Sequence, residues 1–256
     1  MPQLALKANE ISNELVDILA NKTELTEMQF YRYIKDIEKL HDNSSEDYLK
    51  ALANAAYGRK DAAVAFFEES LKQNNSLIAQ NYIVYLNDYG TYTEVYEAVE
   101  RLVDRFYTPT MVDHAWETNL FTGHIDKAIF YVEKLINMVD EKEADMLKNL
   151  AANALKQSRL FKRTTGISDH EFQDIAKRVV DVMDNHKVSP IAISFYAVPE
   201  EKTSSYVMSV NTLNPDVLSD MNLDIAFSLA ENDGLIGKPF SVWFEGSTED
   251  AVRASL

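Results

Sequence analysis

The sequence predicts a mainly α-helical protein in which stacked antiparallel helical hairpins are followed by a small α+β unit. Three observations support this fold class. Glycine (7) and proline (6) are scarce among the 256 residues, which disfavours a sheet protein with many tight turns. Three segments with the same apolar spacing, each led by a glycine, recur at intervals of 32 and 33 residues. After residue 187, β-branched and aromatic runs typical of strands replace the helical period.

The first forty residues predict two amphipathic helices. Apolar residues at alternating steps of three and four place one helix over most of residues 3–20. Thr26 and Gln29 have the spacing of a capping box, which starts the second helix. Phe30 and Ile37 belong to the apolar stripe that continues this helix toward residue 40.

The repeated segments follow. Small or apolar residues occur five, nine and thirteen positions after each leading glycine, which predicts three similar helices that each begin after a turn. The three glycines are Gly58, Gly90 and Gly123. Because a single hairpin cannot bury its own apolar face, neighbouring hairpins must stack, and stacking creates an extended surface.

These second helices, "GRKDAAVAFFEESL", "GTYTEVYEAVERLV" and "GHIDKAIFYVEKLI", resemble the second half of the tetratricopeptide repeat. The resemblance covers residues 45–138. It implies that the three glycines lie in turns, that Ala63 and Ala128 are the small residues where helices cross, and that the first helices line a protein-binding groove. The first helices of the units do not keep the aromatic, leucine and glycine spacing of that family.

The rest of the chain predicts one more helical region and then a ββαβ unit. Ser168 starts a helix with a capping box, and the helical part ends near residue 186. "IAISFYAV" and "SYVMSV" predict a strand hairpin, Asn214 and Pro215 predict a helix start, and "FSVWFEG" predicts a third strand. The expected domains are a helical-repeat domain over residues 1–187 and a small α+β domain over residues 188–256.

The charge limits the classes of partner. The formal net charge is −16, so phosphate backbones are repelled and nucleic acid is not an expected partner. Residues 201–256 are especially acidic, with 3 basic and 9 acidic side chains. No apolar stretch is long enough to span a membrane, and the amino terminus lacks the pattern of a secretory signal. We therefore expect a cytoplasmic protein that binds no membrane.

Motifs for catalysis are missing from the sequence. Cysteine is absent, and none of the common nucleophile, metal or phosphate-loop patterns occurs. "GLIGKP" has the wrong spacing for a phosphate loop and is interpreted as a turn before a strand. The five histidines, at positions 41, 114, 124, 170 and 186, have no helical metal-site spacing and are interpreted as surface residues, although His114 and His124 could converge across a hairpin. We expect no cofactor and no metal.

Two groups of residues are candidates for binding. Aromatic and amide side chains on the first helices are candidates for partner binding in the groove that the resemblance implies, although most aromatic residues of this region are also expected in the core. They are Asn54, Tyr82, Tyr85, Trp116 and Asn119. A basic connector could bind phosphate through Arg159, Lys162 and Arg163, or it could neutralise helix carboxyl ends and pair with nearby acidic side chains.

Three functions remain open at this point. The leading hypothesis is a non-catalytic adaptor or chaperone that binds a protein partner through the helical groove, with the α+β unit as a second contact or a dimerisation surface. The alternative is an acidic inhibitor or immunity-type protein that masks a basic site on a toxin or nucleic-acid enzyme. The third is an enzyme of an unfamiliar type, since a fold alone does not exclude catalysis.

Overall fold

The computed structural model describes residues 2–40, 43–198, 200–201 and 203–248, and His41 lies outside them. The mainly α-helical fold with a small α+β unit at the carboxyl end is confirmed. The helices are α1 (Pro2–Ala20), α2 (Glu27–Glu38), α3 (Asn43–Ala56), α4 (Lys60–Ser70), α5 (Ser76–Tyr89), α6 (Tyr92–Leu102), α7 (Pro109–Phe121), α8 (Ile125–Leu135), α9 (Glu141–Thr165), α10 (Asp169–His186) and α11 (Pro215–Ala230). The strands are β1 (Pro190–Val198), β2 (Thr203–Val210) and β3 (Phe240–Gly246).

The chain divides into two compact units, Met1–Tyr89 and Gly90–Leu256. The first contains α1 to α5, and the second contains α6 to α11 with all three strands. The boundary expected after residue 187 therefore falls inside the second unit. The physical reason is that helices on one side of that boundary and strands on the other bury their apolar side chains in a single core.

In the first unit, α1 and α2 both pack on α3. The predicted start of α2 is confirmed, because the Thr26 amide donates to Gln29 Oε1 at 2.9 Å and the Gln29 amide donates back to the Thr26 hydroxyl. Phe30 and Ile37 are buried, as the apolar stripe predicts. Capping and burial of one stripe therefore explain why this segment is helical.

The α3–α4 and α7–α8 hairpins are closed by the same kind of turn. Gly58 and Gly123 have φ values of +79° and +80°, in the left-handed region that glycine adopts without strain. In each turn, the amide that follows the glycine donates to a carbonyl five residues earlier. These bonds join Arg59 N to Asn54 O at 2.9 Å and His124 N to Asn119 O at 2.8 Å. Both turns therefore have the bonding of a Schellman motif, which ends a helix at a glycine.

The predicted ββαβ unit is confirmed. The strands form one sheet in the order β1-β2-β3, with β1 antiparallel to β2 and β2 parallel to β3. The parallel pair requires a crossover, which α11 supplies. As predicted, Asn214 caps α11, since its side chain accepts from the Asp216 amide, and Pro215 is the first helical residue.

Aromatic side chains from α9, α10 and the sheet form the centre of the second unit. Phe195 of β1 lies 5.7 Å from Phe161, 5.5 Å from Phe172 and 5.1 Å from Tyr206 between ring centroids. Tyr206 is completely buried, and burial raises the pKa of its hydroxyl far above the ordinary value. Its hydroxyl has no hydrogen-bond partner among the described residues. The sheet and the helices are thus held together by aromatic packing.

Side-chain amides form hydrogen bonds with backbone groups on both outer strands of the sheet. Asn222 of α11 accepts from the Phe244 amide at 2.7 Å and donates to the Phe244 carbonyl at 3.1 Å. Gln157 of α9 accepts from the Phe195 amide at 3.3 Å. A second chain that added a strand at either residue would have to displace these bonds, which is one way in which proteins protect sheet edges.

Within the described residues, none of the helices has the length and apolar character needed to cross a bilayer.

The turn before β3 is tied to α10, in agreement with the interpretation of "GLIGKP" as a turn. Lys238 donates to Glu171 Oε1 at 2.6 Å and to the Gly166 carbonyl at 3.1 Å. Glu171 also accepts from the amide and the hydroxyl of Ser168 at the start of α10. The hydrogen bond from Lys238, together with those from Ser168, lowers the pKa of Glu171 from 4.5 to about 2.

This lowered pKa predicts a pH-dependent contribution to stability. Because the folded pKa lies below the unfolded one, the ionised Glu171 stabilises the fold above about pH 4.5 and loses that effect as the pH falls toward about 2. We expect Lys238→Met to lower the melting temperature at neutral pH, and the difference from wild type to shrink between pH 4.5 and 2. Thermal melts followed by circular dichroism across this pH range measure the difference in melting temperature.

Lys148→Met is the matched control, because Lys148 pairs with Asp145 at 2.8 Å within α9 and both side chains are more than half exposed. Such pairs contribute little to stability. A melting-temperature difference for Lys238→Met that stays constant from neutral pH to pH 2 would contradict the assigned role of Glu171.

Candidate functional site

The five residues predicted to bind a partner are interior. Their exposed fractions are at most 5%: Asn54 5%, Tyr82 4%, Tyr85 4%, Trp116 5% and Asn119 0%. Tyr82 and Tyr85 pack on Phe67, with ring centroids 5.2 Å and 5.5 Å away. The structure therefore assigns the aromatic side chains to packing, and surface for a partner has to come from other residues.

The two asparagines have the same local role in the two hairpins. The Asn54 amide group donates to the Lys50 carbonyl at 2.8 Å, and that of Asn119 donates to the Ala115 carbonyl at 2.9 Å. Asn119 also donates to Glu100 Oε1 at 2.8 Å. Each of these two bonds joins the side chain to a carbonyl four residues earlier in its own helix, so these amide groups are not offered to a peptide.

The basic connector divides into paired and exposed residues. Lys162 lies in the last turn of α9, pairs with Asp169 and lies 5.7 Å from the centroid of the Phe172 ring. This pairing agrees with the charge-neutralising interpretation of Lys162. Arg159 and Arg163 are exposed on α9. Phosphate binding by this patch stays a prediction.

A cleft of about 410 Å³ opens within the second unit, between α6, the turn before α8, and α10. Helix α6 contributes Thr93, Tyr96 and Glu97. The turn contributes Thr122 and His124. Helix α10 contributes polar side chains between residues 170 and 181. Most of the surface that lines the cleft is apolar, with a few polar groups among it, which is the composition of places where ligands bind.

Asp184 fixes α6 against α10 beside this cleft. Its carboxylate accepts from the Tyr92 amide at 2.6 Å, the Thr93 amide at 3.3 Å and the Thr93 hydroxyl at 2.5 Å. The amides at a helix start lack partners within the helix and carry partial positive charge, so a carboxylate satisfies both needs. The position of α6, which forms one side of the cleft, therefore depends on Asp184, which is 91 residues from Thr93 along the chain.

Two aromatic rings form one wall. The rings of Tyr96 and His124 are nearly parallel, at 12°, with centroids 5.8 Å apart. Burial lowers the pKa of His124, and the nearby Lys127 lowers it further, so the imidazole is neutral at neutral pH. Burial raises the pKa of the Tyr96 hydroxyl, and the Glu100 carboxylate adds to this effect. The wall is thus flat, aromatic and uncharged.

The rest of the lining is acidic on balance, with three carboxylates and one ammonium group. Lys177 is engaged by Asp181 at 2.7 Å. Asp174 Oδ2 accepts from Arg178 at 3.0 Å and from Asn232 at 2.7 Å. Burial raises the pKa of Asp174, but these hydrogen bonds outweigh burial and lower it, so its carboxylate is ionised. Glu97 is exposed and has no ion pair among the described residues.

These features suit the binding of a cation beside an aromatic face. Carboxylate oxygens accept hydrogen bonds from ammonium or guanidinium groups, and the ring of Tyr96 attracts a cation through its π face. Within the part of the chain that the structure describes, no group of three histidine, aspartate or glutamate side chains could hold a metal ion.

The sequence does not predict this cleft. It indicates surface positions for His124 and His170, and the convergence that it allows for His124 is with His114 rather than with the α10 residues. The lining comes from three segments spread over about ninety residues, and no local pattern links them. The one usable signal is Asp184, an acidic side chain in the last turn of a helix, where the dipole disfavours it.

The fold and the cleft define a mainly α-helical protein with an acidic, aromatic-walled recess in its mixed α+β unit. Comparisons with protein-family models, with curated proteins and with solved structures found no match to this chain. The resemblance to tetratricopeptide repeats stays a prediction.

Proposed function

We propose that this protein is a non-catalytic protein-protein interaction module, an adaptor or chaperone, that holds a positively charged segment of a protein partner in the cleft between α6 and α10. The observation that carries the proposal is the combination of an aromatic wall with an unpaired carboxylate, Glu97, in a recess of about 410 Å³. A cytoplasmic location, expected from the sequence, belongs to the same proposal.

An arginine side chain fits this chemistry best. Its planar guanidinium can stack on the exposed part of the Tyr96 ring while its N–H groups reach a carboxylate. Glu97 offers two free oxygens, and Asp174 retains its Oδ1 atom. The net charge of −16 brings basic partners toward the protein and speeds their encounter.

The acidic-inhibitor function is the second candidate, and one observation favours it. No lysine, arginine or histidine occurs between Thr203 and Gly237, so α11 and the residues around it are purely acidic. An inhibitor of this kind would bind by long-range attraction, and its affinity would fall steeply with added salt. A partner whose binding is lost in Glu97→Lys, which leaves the α11 carboxylates in place, would favour the cleft instead.

The test begins with a pull-down from native cell lysate at low and high salt, followed by titration calorimetry of the purified partner. We expect Glu97→Lys to weaken the partner's binding by about tenfold or more, because a repulsive charge replaces the unpaired carboxylate. Glu133→Lys is the matched control, since Glu133 is an exposed glutamate on α8 outside the cleft.

Both variants change an exposed side chain and the same amount of charge, so circular dichroism should show an unchanged fold. If Glu97→Lys and Glu133→Lys weaken binding equally, the effect is general electrostatics and the cleft is not the binding site. If neither weakens it, the proposal fails for the cleft.

A further inference from the structure

The outer face of α11 exposes large apolar side chains. Leu223 and Phe227 are one helical turn apart and are 54% and 68% exposed. Met221 and Ile225, on the opposite side of the same helix, are completely buried in the core of the second unit. The helix therefore has two apolar faces, and packing within the unit accounts for only one of them.

Carboxylates surround the exposed pair. Asp220 lies one turn before Leu223, and Glu231 lies one turn after Phe227. Both are exposed, and no ion pair with either occurs among the described residues. Asp224, beside them, pairs with His186 at 2.7 Å. An apolar centre with a rim of unpaired charge is the usual composition of a protein interface.

We propose that this α11 face docks a basic amphipathic helix of a protein partner, with an apolar stripe of that helix on Leu223 and Phe227 and its lysine or arginine side chains against Asp220 and Glu231. The charge complementarity selects this occupant. An anionic membrane or a nucleic acid would be repelled by a segment that has no basic residue between Thr203 and Gly237. A second copy of this chain would bring the same carboxylates together at a symmetric contact.

This inference deepens the proposed function, because it assumes that the protein binds a protein partner and assigns a second contact to it. The geometry is that of an amphipathic helix recognised through apolar residues one turn apart. Phe227 is expected to contribute most, since large aromatic side chains dominate binding energy at interfaces.

The experiment uses the full chain and an 18-residue fluorescent peptide, with leucines along one helical face and lysines elsewhere. Fluorescence anisotropy measures peptide binding in about 0.05 M and about 0.3 M salt. The higher salt concentration shortens the Debye length and screens the exposed charges. We expect the peptide to bind, and Phe227→Ser to weaken binding by about tenfold or more. The same peptide with glutamates in place of lysines should not bind.

Leu77→Ser is the matched control, since Leu77 is 57% exposed on α5 in the other unit. It should leave peptide binding unchanged. Asp220→Asn should weaken binding at low salt more than at high salt, because it removes charge without removing apolar area.

The outcomes separate the two binding surfaces. Loss of peptide binding in Phe227→Ser with retention in Glu97→Lys supports the α11 surface whether or not the cleft binds the native partner. If Glu97→Lys loses peptide binding and Phe227→Ser retains it, the proposal for the α11 surface is overturned and the proposal for the cleft stands. Absence of binding to wild type, or equal loss in Leu77→Ser, also overturns the inference.

Discussion

Replacing Gly123 by alanine is expected to destabilise the second unit by about 2–5 kcal/mol, the largest effect on stability that we expect from a single exchange. Two costs add at this position. An L-residue at a φ of +80° costs about 1–2 kcal/mol. The new Cβ would also lie 2.8 Å from Ala176 Cβ on α10, which forces α8 and α10 apart at a cost of about 1–3 kcal/mol.

Gly58 provides a matched control in the other hairpin. Its φ of +79° is nearly the same, but a Cβ there would meet no atom within 4 Å. Gly58→Ala should therefore cost only the backbone part, about 1–2 kcal/mol. The difference between the two variants isolates the contact with α10.

The two variants can be followed separately by urea unfolding. Both tryptophans, Trp116 and Trp243, lie in the second unit, so tryptophan fluorescence reports that unit, and far-ultraviolet circular dichroism reports the helices of both. Equal losses in the two variants would mean that Ala176 does not restrict the turn at Gly123.

Asp184→Ala is expected to cost about 2–3 kcal/mol and to loosen the wall of the cleft that α6 forms. The exchange removes three hydrogen bonds to one carboxylate and leaves the amides of Tyr92 and Thr93 without their partner. Hydrogen bonds to charged groups contribute about 1.5–3 kcal/mol, and buried unsatisfied amides add a penalty. Partner binding in the cleft should weaken along with stability, because α6 carries Tyr96 and Glu97.

Asp184→Asn is the conservative comparison. It keeps one carbonyl acceptor of the same size and loses the charge that complements the start of α6, so its cost should be smaller. Hydrogen exchange of the α6 amides is the second measurement. If α6 exchanges at the wild-type rate in Asp184→Ala, the carboxylate does not hold the helix, and the role assigned to Asp184 is wrong.

Local signals in the sequence predicted the start of individual elements. The capping boxes at Thr26 and Ser168 and the Asn214–Pro215 pair all begin helices, because these side chains satisfy the free amides of a first turn without distant contacts. The ββαβ order was also predictable, since strand composition and turn residues alternate along the chain.

Long-range packing could not be predicted from the same signals. Aromatic residues at helical spacing, such as Tyr82 and Tyr85, have the same pattern whether they face a core or a partner, and the structure buries them. The unit boundary at Tyr89 depends on how the sheet shares a core with α9 and α10, which no local pattern encodes. The position of α6 in the cleft depends on the hydrogen bond that the Thr93 hydroxyl donates to Asp184, 91 residues away along the chain.

The measurement that tests the central claim most directly is site-specific photo-crosslinking in the native cell. A photoreactive residue at Gln173, exposed on α10 in the cleft, is compared with one at Glu133, exposed on α8 outside it. We predict that position 173 crosslinks to an arginine- or lysine-rich segment of one protein and that position 133 does not. Crosslinks of equal yield from both positions, or none from position 173, would contradict the claim that the cleft holds a basic segment of a partner.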